Sequence, residues 1–295
     1  MGTSRWIEKN TANLEGKLVA VTGSTGGLGL ELCRHLASLG ARLLLINRNP
    51  ARAESQRQAL LSDFPDLSVE CLGADMEDAD SVRDLTERLK TYPLDALILN
   101  AGAYSIPRKT CKTGYDNVFQ INFVSPYYVV RELMPLLRAR SARVIAVGSI
   151  AHNYSKINPH DVDFSTYAAA SKVYGNAKRH LTYGLLELFA EQSDARLAIV
   201  HPGITFTNIT AHYPKVIFAL IKHPMKIIFM KPKKAALCVL DGLFEPCSPH
   251  QWIGPRLFDV WGLPQKKTLK TASAEERAQI AERAESIYQN LKKPM

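Results

Sequence analysis

Residues 17 to 29, KLVAVTGSTGGLG, decide the reading of this chain. Leu18 to Val21 are an apolar run of the length of one buried parallel strand. Thr22 to Gly29 follow as a glycine-rich turn, and Leu30 to Leu39 have helical periodicity. Strand, tight turn and helix in this order aim backbone N–H groups and a helix N-terminus at a pyrophosphate. A side chain at Gly23, Gly27 or Gly29 would hold the phosphates away from the backbone, which is why small residues are needed. Ser24, Thr25 and Leu28 fill the same turn and are candidate cofactor contacts with those glycines.

Downstream, Ala41 to Ile46 read as a second strand after a helix closed by Gly40. Asn47 and Arg48 stand at its end. In a dinucleotide-binding unit this position faces the adenosine ribose. An acid there would hydrogen-bond the 2′-hydroxyl, whereas an arginine meets a 2′-phosphate with a charged, bidentate group. No Asp or Glu occupies the strand end, so NADP(H) is favoured over NAD(H), with Asn47 and Arg48 as candidate contacts. The alternative is that Arg48 is a solvated loop residue. Arg52 to Leu61 read as a helix and Val69 to Leu72 as a third strand, before Ala74-Asp75-Met76 and a helix over Ser81 to Leu89. Leu94 to Leu99 are a fourth strand, closed by Asn100-Ala101-Gly102.

The second half carries a proton-transfer pattern. Gly114 to Leu137 read as one long helix with an irregular start, and Asn122 lies in its apolar run Phe119 to Phe123. A buried amide there needs partners. Arg143 to Val147 are a fifth strand ending at Gly148-Ser149. Ligands gather at the carboxyl ends of strands in such sheets, so Ser149 stands where a substrate oxygen would sit. Its hydroxyl can donate to a carbonyl oxygen that becomes anionic. Two Tyr/Lys pairs follow. Tyr167 and Lys172, read as the start of a helix, are five apart, about 140° around it. Tyr174 and Lys178 are four apart, about 40° from each other and one turn above. A phenol with an ordinary pKa of about 10 is a poor proton donor and acceptor near neutral pH. An ammonium on the same face lowers that pKa, so Tyr174 and Lys178 are the expected acid/base pair.

The pattern T-G-x-x-x-G-x-G (Thr22, Gly23, Gly27, Gly29), with Asn100-Ala101-Gly102, Asn122, Ser149 and Tyr174-x-x-x-Lys178 in this order, resembles the short-chain dehydrogenase/reductase family over roughly residues 16 to 210. The gap from Ser149 to Tyr174 and Val200-His201-Pro202-Gly203 look most like its retinol dehydrogenase-like branch. The resemblance implies an α/β single-domain Rossmann fold: a doubly wound parallel β-sheet, seven-stranded, flanked by helices on both faces. It implies hydride transfer at a C–O bond, with Tyr174 as general acid/base. Lys178 would be its partner, also bound to the ribose. Ser149 would orient the substrate oxygen, and Asn122 would hold a water in a proton relay. It places Asp75, with Met76, near the adenine amino group, although Asp75 could equally cap the helix after it. Asn100, Ala101 and Gly102 would support the nicotinamide-side ribose. Pro202 and Gly203 would lie over the nicotinamide, with Thr205 ahead of Thr207 as a carboxamide or phosphate contact. Dimers or tetramers through the Asn122 and Tyr174 helices are usual for the family.

The expected organisation is an N-terminal extension over 1–15, a Rossmann domain over 16–265 with a substrate lid at about 205–235, and a helical tail over 266–295. The tail's amphipathic helix, Ala274 to Leu291, would dock on the surface or on a partner chain. Gln251 to Ile253 read as the last strand, and Gly254-Pro255 as the end of the core. Residues 211–235 carry six lysines, Val216, Ile217, Phe218 and further apolar residues, with no acid. An apolar lid implies a lipophilic substrate of retinoid, steroid or fatty type, and basic with apolar residues also suit peripheral membrane contact. Prolines at 214, 224 and 232 exclude one spanning helix there. The net charge of +9 comes without a readout motif, so nucleic acid is not an expected partner. Five scattered cysteines without C-x-x-C argue for a reducing compartment and against a metal site. With no apolar leader, a cytoplasmic protein is expected, peripheral at a membrane surface if 211–235 makes contact.

Overall fold

The computed structural model describes residues 2–190, 196–204, 229–245, 248, 250–270 and 272–293. Thr205, Thr207 and the stretch 211–228 of the expected lid lie outside the described residues. The chain builds one sheet in the order β3-β2-β1-β4-β5-β6-β7-β8. Its strands are β1 Leu18–Thr22, β2 Arg42–Asn47, β3 Val69–Gly73, β4 Ala96–Leu99, β5 Arg143–Val147, β6 Arg196–Val200, β7 Gln251–Leu257 and β8 Trp261–Thr268. β1 to β7 are parallel, so the order reverses direction between β1 and β4, the place where such sheets open a crevice at their carboxyl ends.

Alternation along the strands builds two cores. Leu18, Ala20, Leu44, Ile46, Leu97 and Leu99 face one side; Val19, Val21, Leu43, Leu45, Ala96 and Ile98 face the other. The first side is covered by α4 (Ala79–Leu89), α6 (Ser125–Ala139) and α7 (Ala170–Ala190), the second by α2 (Gly27–Ser38), α3 (Pro50–Asp63) and α8 (Pro232–Phe244). The N-terminal stretch is no loose extension. Its helix α1 (Thr3–Asn10) buries Trp6 in the second core, against α8.

Three expectations are corrected. The sheet has eight strands rather than seven, because Gly254-Pro255 do not end it. β7 pairs with β6 only at Ile253, so Pro255 costs no ladder bond on that side. Phe258 and Asp259, both at positive φ, then reverse the chain into antiparallel β8. The long helix begins at Asn117, not Gly114: Asp116 accepts from the amides of Val118 and Phe119, capping α5 (Asn117–Phe119). A π-helical turn, Gln120–Val124, joins α5 to α6. Tyr167 lies before α7, stacked on Phe164 at 4.3 Å, and Lys172 donates to the Tyr154 carbonyl at 2.7 Å. Of the two placements expected for the tail helix, α9 (Ala274–Lys292) takes the surface of its own chain, burying Ile280, Ile287 and Tyr288 against α6 and α7. This is a face of the helices through which subunit pairing is expected. No described helix is long and apolar enough to cross a membrane.

Candidate active site

The glycine turn is held by β4. Gly23 has φ +64°, and a Cβ on it would sit 2.8 Å from the Ala101 Cα. The Thr22 hydroxyl accepts from the Asn100 and Ala101 amides at 3.0 and 2.9 Å. The Asn100 side chain donates back to the Thr22 and Gly23 carbonyls. Asn100-Ala101 therefore fixes the turn's first residues, and Gly29 lets α2 approach them.

Ser24 is corrected here. Its side chain is fully buried and points away from the cleft, donating to Gln56 Oε1 and accepting from Asn47 Nδ2, both at 2.7 Å. Asn47 Oδ1 also accepts from the Thr25 amide at 3.0 Å. Asn47 thus uses both ends of its amide to tie the turn to β2, and it also lines the cleft. Gln56, a buried residue of α3 that sequence reading passed over, completes the brace by donating to the Ser24 carbonyl.

A cleft of about 970 Å³ runs along the carboxyl ends of the strands. Gly23, Thr25, Gly27, Leu28 and Gly29 line one part of it. Arg48, Asp75 and Met76 line the end beside β2 and β3. The Arg48 guanidinium is two-thirds exposed and lies 3.5 Å from Glu77, whose other oxygen pairs with Lys109. Arg52 of α3 and Lys109 also line this end, and neither was expected; Lys109 arrives on the loop after β4, which no local pattern brings to this place. Asp75 is not the helix cap: Asp78 caps α4, while Asp75 accepts from the Glu77 amide.

Asn100, Ala101, Gly102, Ser149, Tyr174, Lys178, Pro202 and Gly203 line the remainder. Ser149, two residues past β5, caps the 3₁₀ turn Ile150–Tyr154. Its hydroxyl lies beside the Tyr174 phenol and acts to lower that group's pKa. Tyr104, unforeseen, packs edge-on against Tyr174 at 5.2 Å. Lys178 is buried, donates to the Val147 carbonyl at 2.8 Å, and holds its Nζ 5.7 Å from the centre of the Tyr174 ring. Burial pushes the Tyr174 phenol up to about 12, and the Ser149 hydroxyl opposes this. Lys178, expected to lower it, is not among the groups that move it. Burial also pushes the Lys178 ammonium down to about 7.

That displacement has a measurable consequence. Below pH about 7, folded and unfolded Lys178 are both protonated, and the full cost of burying the charge is present. As pH rises to about 10.4, the native state has lost a proton that the unfolded state keeps, so the cost disappears. Lys178→Met is expected to exceed the wild type in stability near pH 6 and to lose this advantage toward pH 10. Denaturant unfolding without nucleotide at both pH values checks it. A gap independent of pH would show that Lys178 is charged in the fold throughout.

Asn122 lies in the π-helical turn, a distortion frequent at functional sites. It does not line the cleft; it is fully buried, and its Nδ2 donates to the Ala103 and Val118 carbonyls, both at 2.8 Å. Its Oδ1 is buried without a partner. A Cβ on Gly102 would lie 2.9 Å from that oxygen and 3.6 Å from Lys178 Nζ. Glycine at 102 keeps open the space that both atoms border. His201 also lines the cleft; stacked on Trp252 and buried, it is pushed down to about 4 and stays neutral. Among the described residues no cluster of side chains could hold a metal ion.

A sequence model of the family described as short chain dehydrogenase matches residues 17–216. Human polyprenol dehydrogenase is 28% identical over 207 residues, 66% of this chain and 63% of that protein. The chain spans about half to two thirds of the length of the curated relatives it matches. In structure it resembles an uncharacterised protein from Mycobacterium paratuberculosis, with TM-score 0.74 and 22% identity over 97% of this chain and 98% of that one. It also resembles RhlG of Pseudomonas aeruginosa in an active-site complex with NADP, with TM-score 0.60 and 23% identity over 79% and 91% of the two chains.

Proposed function

The chain belongs to the short-chain dehydrogenase family, a family of oxidoreductases, and from that premise we propose that it is an NADP(H)-preferring enzyme interconverting an alcohol and its ketone or aldehyde. The observation that carries this reading is the convergence of Ser149, Tyr174 and Lys178 in the cleft that the glycine turn opens. The chain's own features fit a dinucleotide. Gly23 and Gly29 leave backbone where a Cβ would collide, Arg48 and Lys109 supply cations beside β2 and β3, and Asn122 Oδ1 is an acceptor awaiting a donor.

When bound, the nicotinamide supplies or removes hydride at the substrate carbon. The glycine turn would receive the pyrophosphate on its N–H groups. Lys178 would hold the ribose, and Ser149 would donate to the substrate oxygen, stabilising charge as it develops there. Tyr174 would give that oxygen its proton in reduction and take it back in oxidation. Asn122 and Lys178, bordering the space beside Gly102, would pass the proton onward through a water held there.

A lipophilic substrate, of retinoid, steroid or fatty type, is supported by Ile106, Pro107, Ile150 and Phe229 on the cleft wall, and by the apolar composition of the sequence from Val216 to Met230. The name of the polyprenol dehydrogenase relative points the same way. The reading is tested by following NADPH oxidation over retinal, steroid ketones, fatty aldehydes and small aromatic ketones. Turnover confined to the small ketones would remove the lipophilic part. NADPH binding without turnover on any carbonyl would favour a sensor that kept the fold.

Cofactor choice is tested at Arg48. A hydrogen bond to a charged group contributes about 1.5–3 kcal/mol. Arg48→Asp is therefore expected to lower the NADPH-to-NADH ratio of kcat/KM by roughly 10- to 100-fold. An unchanged ratio would remove Arg48 from the phosphate site.

A further inference from the structure

The family match ends at residue 216, yet the C-terminal helix α9 reaches the residues around Ser149. Its third residue, Glu276, takes Arg179 in a two-pronged ion pair: Nε to Oε1 at 2.7 Å and Nη2 to Oε2 at 2.6 Å. The remaining guanidinium nitrogen, Nη1, donates to the His152 carbonyl at 2.9 Å. His152 is fully buried and folds back on Ser149, its Nδ1 lying 2.5 Å from the Ser149 carbonyl. A carbonyl only accepts, so Nδ1 carries the proton. The amides of Ala151 and His152 likewise close on Ser149, on its hydroxyl and its carbonyl, both at 3.2 Å.

α7 presents two faces here, one residue out of phase. Tyr174 and Lys178 line the cleft. Gly175 and Arg179, each one residue later, meet the turn that follows Ser149. A Cβ on Gly175 would lie 2.6 Å from the Ala151 carbonyl, so the helix is already as close to that turn as backbone allows. Arg179 then pins the turn one helical step further on. Ser273 caps α9 through the Glu276 amide at 3.1 Å, while the Glu276 side chain, usually directed to the cap residue in such a box, instead reaches Arg179. The position also suits its charge, at a helix N-terminus.

We propose that Glu276 and Arg179 are positioning residues that clamp the Ser149 turn onto the Tyr174 helix and so set the Ser149 hydroxyl against the Tyr174 phenol. The proposal rests on the oxidoreductase reading above for its effect on turnover, while the clamp itself is a matter of local structure. Neither residue touches the cleft; both act through His152 and Ser149. A fork is required, because three separate bonds leave one guanidinium. Lysine preserves the charge opposite Glu276 but cannot also hold the His152 carbonyl and both carboxylate oxygens.

Arg179→Lys and Glu276→Gln test this, each alone and combined with Ser149→Ala. Amide hydrogen exchange at Ala151 and His152 is expected to quicken in both single variants. kcat is expected to fall by roughly 10- to 100-fold, the range that an ångström-scale misplacement costs, with the Kd for NADPH unchanged. In the Ser149→Ala background neither variant should lower kcat further, since the clamp acts through Ser149. Three results would each overturn the proposal: exchange as in the wild type, kcat as in the wild type, or the same fold-loss in both backgrounds, which marks a general effect on the fold. Retained turnover in Tyr174→Phe would instead overturn the active-site reading, and quickened exchange would then still report the clamp.

Discussion

Tyr174→Phe is expected to remove turnover almost completely while NADPH still binds. The phenol lines the cleft with a proton to give, and the Ser149 hydroxyl acts on it from the same wall. Positioned proton transfer contributes about 10²- to 10⁴-fold, and phenylalanine keeps the ring but has no proton. The stability change should be small. The ring still packs edge-on against Tyr104, and only the hydroxyl beside Ser149 is removed. The pairing of lost kcat with unchanged NADPH affinity, by fluorescence titration, distinguishes a chemical role from a binding role. Full activity in this variant would point to another proton donor.

Gly29→Ala is expected to cost nucleotide binding and stability together, although it adds a single methyl. Its Cβ would lie 2.5 Å from the Gly23 carbonyl oxygen, 2.7 Å from that of Ser24 and 2.8 Å from the Ser24 Cα. All three are backbone atoms of the turn itself, so no side chain can swing aside. Either α2 backs away or the turn is pushed out, and each breaks the alignment of N–H groups. Overpacking of this kind costs about 1–3 kcal/mol in stability. Loss of two charge-assisted bonds to phosphate adds about 3–6 kcal/mol in affinity, a rise in Kd of at least ~100-fold. Gly73→Ala is the control, because nothing lies within 4 Å of its Cβ. Equal, small effects at both positions would mean that the turn does not carry the phosphates.

Much of this was legible in the sequence, for identifiable reasons. β1, β2, β4 and β5 are short apolar runs ended by glycine or polar residues, and parallel strands buried on both faces leave that signature. Tyr174 and Lys178 fall on one face by helical geometry alone. Geometry does not give depth, however. Spacing placed Lys178 beside the phenol, but the structure buries its ammonium on the Val147 carbonyl, and desolvation of the phenol raises it. The direction of Ser24 was hidden for a similar reason. Which way a turn residue points depends on Gly23 at positive φ and on Gln56, thirty-two residues away. Lys109 and Glu77 meet through a long loop that no period marks. At Pro255 the local rule for a strand breaker was overruled, because the strand had already left its neighbour. The docking of α9 depended on partners in three other elements: Arg83 of α4, Glu132 of α6 and Arg179 of α7.

The central claim is hydride exchange between NADP(H) and a carbonyl at the cleft that holds Tyr174. Its most direct measurement is the mass of the alcohol formed when the chain is incubated with NADPH deuterated at the transferring carbon and the carbonyl it turns over best. The account predicts one deuterium at the carbinol carbon, at a rate that collapses in Tyr174→Phe. Alcohol without deuterium, or labelled alcohol formed as fast by Tyr174→Phe, would contradict it.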